Sequence, residues 1–172
     1  MGGYIGWQFW RRHASRLKSI IACHTRAAAD DKLVRRARHM AAAQVRVSGA
    51  GPVADAMVKK LFYLADDQNT LEVDYVARVH QTILATATSS ISAGQIGMSQ
   101  RIDATPWLSE IELPMLFVGG EFDEITSPAE MLSNADAVAD AQLKIILDAG
   151  HLSPLEQPEA FNAVVGKFLS RI

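Results

Sequence analysis

Apolar residues recur along this chain in two rhythms, and the change of rhythm divides it. Tyr4, Ile5, Trp7, Phe9 and Trp10 crowd the stretch Gly2–His13 at helical spacing. Arg11, Arg12 and His13 would close that helix against the negative end of its macrodipole. Leu17 to Cys23 is a short, continuous apolar run, which predicts a strand buried on both faces, as in a parallel sheet. From Ala27 to Val47 the chain turns Ala- and Arg-rich and helical in pattern. Ser48-Gly49-Ala50-Gly51-Pro52 breaks that helix, and Val53 to Leu64 predicts a second, with Met57, Leu61 and Leu64 on one face. Asp66-Asp67-Gln68-Asn69 reads as a turn. Thr70 would cap a third helix from Leu71 to about Thr88, and Ser89 to Gly97 suits a shorter fourth. No strand is predicted in this block.

Sheet signals return at Met115-Leu116-Phe117-Val118, which Gly119-Gly120 ends. Pro128 to Ala137 predicts a helix and Leu143 to Leu147 a strand. Pro158 to Ile172 predicts a closing amphipathic helix with Phe161, Val164, Val165, Phe168 and Leu169 inward. Strands alternating with helices argue for the α/β class and a parallel sheet. Three strands make a small sheet with an apolar open edge, which points to something missing upstream.

Composition narrows the function classes. Of 172 residues, 49% are hydrophobic and 21% charged, as in an ordinary globular protein, and the length favours one domain. The formal net charge of −2 gives no nucleic-acid footprint. No segment has the length of a membrane span and no signal peptide is read, so a cytoplasmic location is expected. The single cysteine, Cys23, excludes an internal disulfide and lies in an apolar run, as a packed thiol would.

The candidate chemistry sits after the strands. Asp123 follows Met115–Val118, and His151 follows Leu143–Leu147, 28 residues later. Catalytic groups of open α/β sheets gather beyond the carboxyl ends of the strands. One strand-helix-strand unit separates the two, so neighbouring parallel strands can bring them side by side. A neutral imidazole can take a proton from a nucleophile, while a carboxylate on its far nitrogen fixes the tautomer.

Gly119-Gly120-Glu121-Phe122-Asp123-Glu124-Ile125-Thr126-Ser127-Pro128 resembles the acid loop of the α/β-hydrolases. Ala149-Gly150-His151-Leu152-Ser153-Pro154-Leu155-Glu156-Gln157-Pro158 resembles their histidine loop and the start of the final helix. Met1-Gly2-Gly3-Tyr4 is similar to the tail of the nucleophile elbow, Gly-x-Ser-Met-Gly-Gly. Leu17–Ala28 and the histidine loop look most like the 3-oxoadipate enol-lactonases and related small esterases. The resemblance implies a partial α/β-hydrolase covering the C-terminal two-thirds of a usual domain. It would have three parallel strands with flanking helices and an all-helical lid insertion. Residues 1–28 would be core, 29–105 the lid, and 106–172 the core that carries both loops.

The resemblance also implies a serine hydrolase of small carboxylic esters or lactones, with Asp123 and His151 as two members of a Ser-His-Asp triad. The family's serine would fall just before Met1, and Met1 would stand where an amide donates to the oxyanion. The isolated chain is therefore expected to lack activity. Ser153, two residues from His151, reads as a turn or helix-cap hydroxyl. His24, Arg26 and Trp107 are candidates for substrate contact. Arg26 can pair with a carboxylate, though a surface or hinge role fits it as well. Trp107 suits a pocket wall or plain core packing equally. No metal or cofactor is expected, and the expected partner is a small ester or lactone, with neither nucleic acid nor membrane. The rival reading is an inactive truncated fragment or pseudoenzyme that self-associates or binds a partner through its open sheet edge.

Overall fold

The computed structural model describes residues 1–64 and 73–172; the turn expected at 66–69 and the cap expected at Thr70 lie outside them. Three strands form one parallel sheet in the order β1 (Ile20–Cys23), β2 (Met115–Gly120), β3 (Ala141–Ile146). Ile20 pairs with Met115, and Met115 with Ala141, so the carboxyl ends of the three strands emerge together.

The helices are α1 (Gly2–His13), α2 (Lys32–Ser48), α3 (Gly51–Leu61), α4 (Val73–Ala85), α5 (Thr88–Ser99), α6 (Pro128–Asp136), α7 (Ser153–Glu156) and α8 (Pro158–Leu169). Short 3₁₀ segments occupy Ala14–Arg16 and Thr105–Glu110. Several elements depart from the pattern-based expectation at their ends. β1 begins at Ile20 rather than Leu17, because Leu17 N–H closes the 3₁₀ turn onto the Ala14 carbonyl. α2 begins at Lys32 rather than Ala27, because the Asp31 side chain accepts from Val34 N–H and starts the helix there. β3 stops at Ile146, leaving Leu147 exposed.

The fold separates into two compact units. One comprises residues 1–27, 60–63 and 104–172; the other, residues 28–59 and 64–103. In the second, α2 packs along α5, with Ser92 Oγ donating to the Ala42 carbonyl at 2.9 Å. Asp30 is buried there between Arg38 and Arg101. Burial pushes its carboxyl up, but hydrogen bonds and attraction from the two guanidiniums win and hold it low.

In the first unit, side chains of β2 alternate between two cores, as the period of a strand demands. Met115 and Phe117 join Trp7, Trp10, Leu108, Ile111 and Met131 on one face. Leu116 and Val118 join Ile146, Ala149 and Phe168 on the other, where Phe161, Val164 and Val165 of α8 also pack. β2 is buried along its whole length, so its continuous apolar run is what the centre of a parallel sheet requires. Cys23 packs against the second core, and burial pushes its thiol up to about 11.

Candidate active site

Each strand delivers one titratable side chain to the same end of the sheet. His24 follows β1, Asp123 lies in the loop after β2, and His151 in the loop after β3. The last two loops are stitched together by backbone. Glu121 N–H donates to the Ile146 carbonyl, and Phe122 N–H to that of Ala149, each at 2.9 Å. Gly120 is required at this crossing: a Cβ there would overlap the carbonyl oxygens of Gly150 and Ala149. The second glycine of the pair that ends β2 thus makes room for the histidine loop.

Asp123 is buried and accepts from both loops and from His24, just after β1. Its Oδ1 takes the amides of Ile125 (2.8 Å) and Thr126 (2.9 Å). Its Oδ2 takes the Thr126 hydroxyl at 3.0 Å and His24 Nδ1 at 3.0 Å. His151 Nδ1 straddles the carboxylate, 3.1 Å from Oδ1 and 2.9 Å from Oδ2. A carboxylate can only accept, so both imidazoles carry their proton on Nδ1. Burial pushes the Asp123 carboxyl up. Hydrogen bonds from His151, His24 and the Thr126 amide outweigh that and hold it well below the usual carboxylate range.

Chemically, the arrangement is an ionised acid gripping a partly exposed imidazole, His151, by its Nδ1–H. The lone pair on Nε2 is then available to take a proton. The structure brings the two sequence-predicted residues together.

The other candidates are held as follows. His24 is buried, with φ of 47°, a left-handed conformation that histidine adopts more readily than most side chains. It touches Asp123 rather than open space, and its Nε2 lies 2.7 Å from Ser153 Oγ. Ser153, which reads as a turn or helix-cap hydroxyl, is the first residue of α7, and its Oγ reaches His24. Arg26 donates to the Ile125 carbonyl and pairs with Glu130 at 3.0 Å, so it braces the acid loop. Trp107 packs against the first core beneath the Arg11 guanidinium, 5.5 Å from the ring centroid. Met1 sits at the N-terminus of α1 and is exposed, and its carbonyl accepts from Tyr4 N–H. Gly3 packs so tightly on Thr25 that a Cβ there would overlap its side chain, which fixes the start of α1 against the end of β1.

Two contributors escaped the sequence reading. Thr126 has no signal beyond its place three residues after Asp123. Glu156 accepts Gly150 N–H at 3.0 and 2.9 Å and Tyr63 N–H at 2.6 Å, which shapes the histidine loop from behind. His24 had a legible signal, since it follows a strand as directly as Asp123 and His151 do.

A parallel sheet with an acid-imidazole pair at its carboxyl ends is the C-terminal architecture of the α/β-hydrolases, and this chain carries that fold in part. Its homologues and structural neighbours are themselves α/β-hydrolases. The chain is similar to 3-oxoadipate enol-lactonase 2 of Acinetobacter baylyi, 26% identical over 171 residues, covering 99% of this chain and 61% of that protein. Among solved structures it is similar to a thermophilic esterase from Thermogutta terrifontis, with TM-score 0.92, 32% identity, and coverage of 99% and 62%. It is also similar to the enol-lactonase of Burkholderia xenovorans LB400, with TM-score 0.86, 28% identity, and coverage of 99% and 63%. The chain thus spans about three-fifths of the length of these relatives. No family model matches it.

Proposed function

We propose that residues 1–172 form the acid-base part of a serine hydrolase acting on small carboxylic esters or lactones. The observation that carries this reading is the His151–Asp123 pair at the carboxyl ends of adjacent strands, with Nδ1 committed to the carboxylate at 2.9 Å. The esterase and lactonase relatives supply the reaction class. In the complete reaction a serine hydroxyl attacks the acyl carbon while His151 Nε2 takes its proton. The imidazolium returns that proton to the leaving alkoxide, and water then releases the acid by the same route. Asp123 orients the ring and stabilises the imidazolium. By the family resemblance the serine falls immediately ahead of Met1, whose amide would donate to the oxyanion.

The test is a fusion. The N-terminal segment of the Thermogutta terrifontis esterase that this chain does not match is placed ahead of Met1, and p-nitrophenyl acetate hydrolysis is measured. Hydrolysis is expected, with His151→Ala lowering kcat about a thousandfold or more. Hydrolysis that survives His151→Ala would sink the assignment.

A second reading rests on β1, which is an edge of the sheet among the described residues. A cavity of about 270 Å³ opens beside it, lined by Gly2, Gly3, Trp7, Ile20, Ile21 and Cys23. On this reading a second copy of the chain covers that edge, and the chain acts as an associating partner rather than a catalyst.

A further inference from the structure

Asp123 serves two imidazoles, and the acid-base reading above uses only one. His24 Nδ1 and His151 Nδ1 reach the same oxygen, Oδ2, at 3.0 and 2.9 Å, from opposite neighbouring strands. Their rings meet edge-on with centroids 5.4 Å apart. Ser153 Oγ, fully buried, lies 2.7 Å from the far nitrogen of His24. With Nδ1–H committed to the carboxylate, Nε2 of a neutral His24 accepts, and the Ser153 hydroxyl donates to it. Ser153–His24–Asp123 therefore has the connectivity of a triad, but one sealed from substrate. The left-handed backbone at His24 is unfavourable for an L residue, and the side chain's two buried hydrogen bonds hold it there.

We propose that His24 is a positioning residue for the acid: a second imidazole, oriented by Ser153, that shares Asp123 Oδ2 with His151. The proposal rests on the acid-base role of Asp123 and His151. A carboxylate that accepts from His24, the Thr126 hydroxyl and two amides is a poor proton acceptor. It therefore orients His151 and attracts its positive charge without taking its proton. The groups facing this cluster are the two imidazoles, Thr126 and Ser153; Arg26, just after β1, pairs with Glu130 in the first turn of α6. The rival occupant is a divalent cation, since one ligand atom from each of His24, Asp123 and His151 lies within 4.8 Å of the others. A cation bridging the two Nδ1 atoms to Asp123 would need both of them unprotonated.

Histidine-¹⁵N NMR of the 172-residue chain separates these ideas without requiring catalysis. Both rings are expected to carry the proton on Nδ1. In His24→Phe, the Nδ1 proton of His151 is expected to move downfield as Asp123 Oδ2 loses a competing donor. In His24→Asn, whose amide keeps a donor there, it stays near its wild-type position. Ser153→Ala leaves the ring but removes its second anchor, and is expected to move the same His151 resonance; it carries the test should His24→Phe not fold. A His151 resonance unmoved in folded His24→Phe or Ser153→Ala overturns the proposal, as do unprotonated Nδ1 atoms at His24 and His151. Asp123→Asn is the control. If it leaves the His151 resonance unmoved, the acid-base reading itself fails; if only the His24 and Ser153 variants are silent, that reading stands without His24.

Discussion

Asp123 is where residue-level chemistry has the largest consequence. Its carboxyl is held below the usual range, so it binds fewer protons folded than unfolded near pH 4. The stability it contributes is therefore full above its unfolded value of about 4, and is lost as pH falls from there toward the folded value. Asp123→Asn is expected to destabilise the chain by about 3 kcal/mol at pH 7 in urea unfolding. The gap to wild type should narrow below about pH 4; a gap that stays constant to pH 3 would contradict the assignment. At this scale the sequence was half legible. Asp123 and His151 declare themselves by following strands. The partners of His24 do not, because they lie 99 and 129 residues away. The sequence marks Arg26 as a candidate contact for a substrate carboxylate. It reaches a carboxylate on its own chain, Glu130, through a fold contact that no local pattern encodes.

Among the elements, α1 and β2 are legible nearly to the residue because their apolar pattern is dense and unbroken. The boundaries that differ are set by local hydrogen bonds the apolar pattern does not encode: the Asp31 cap at the start of α2 and the Leu17–Ala14 turn before β1. The two glycines that end β2 read as a stop signal, yet Gly120 is there for clearance. Gly120→Ala would drive a methyl into the carbonyls of Gly150 and Ala149, and is expected to cost about 2–4 kcal/mol by chemical denaturation. Gly166→Ala, in α8 with open space at its Cβ, is the matched control and is expected to stabilise by about 0.5–1 kcal/mol. Equal effects at the two positions would show that loop crossing does not constrain β2.

At the scale of the molecule, the α/β class followed from the alternation of strands and helices, and so did a small sheet with an apolar edge; what packs on such an edge is tertiary and is not encoded in a local pattern. If a second copy covers β1, light scattering at about 50 µM should give a mass above the 18.7 kDa of one chain, and Ile21→Lys should lower it. A monodisperse 18.7 kDa species with a single cooperative melt would end that reading. The interleaving of the two units has a different consequence. Residues 60–63 interrupt the helical unit in sequence but belong to the other unit, where Leu152 N–H donates to the Leu61 carbonyl and Glu156 clasps Tyr63 N–H. Tyr63 also stacks on Phe122 of the acid loop, with centroids 3.8 Å apart. The helical region is therefore not a detachable cassette. Deleting it from end to end would remove the strap that backs the histidine loop, so domain exchange with a relative succeeds only if its breakpoints leave residues 60–63 in place.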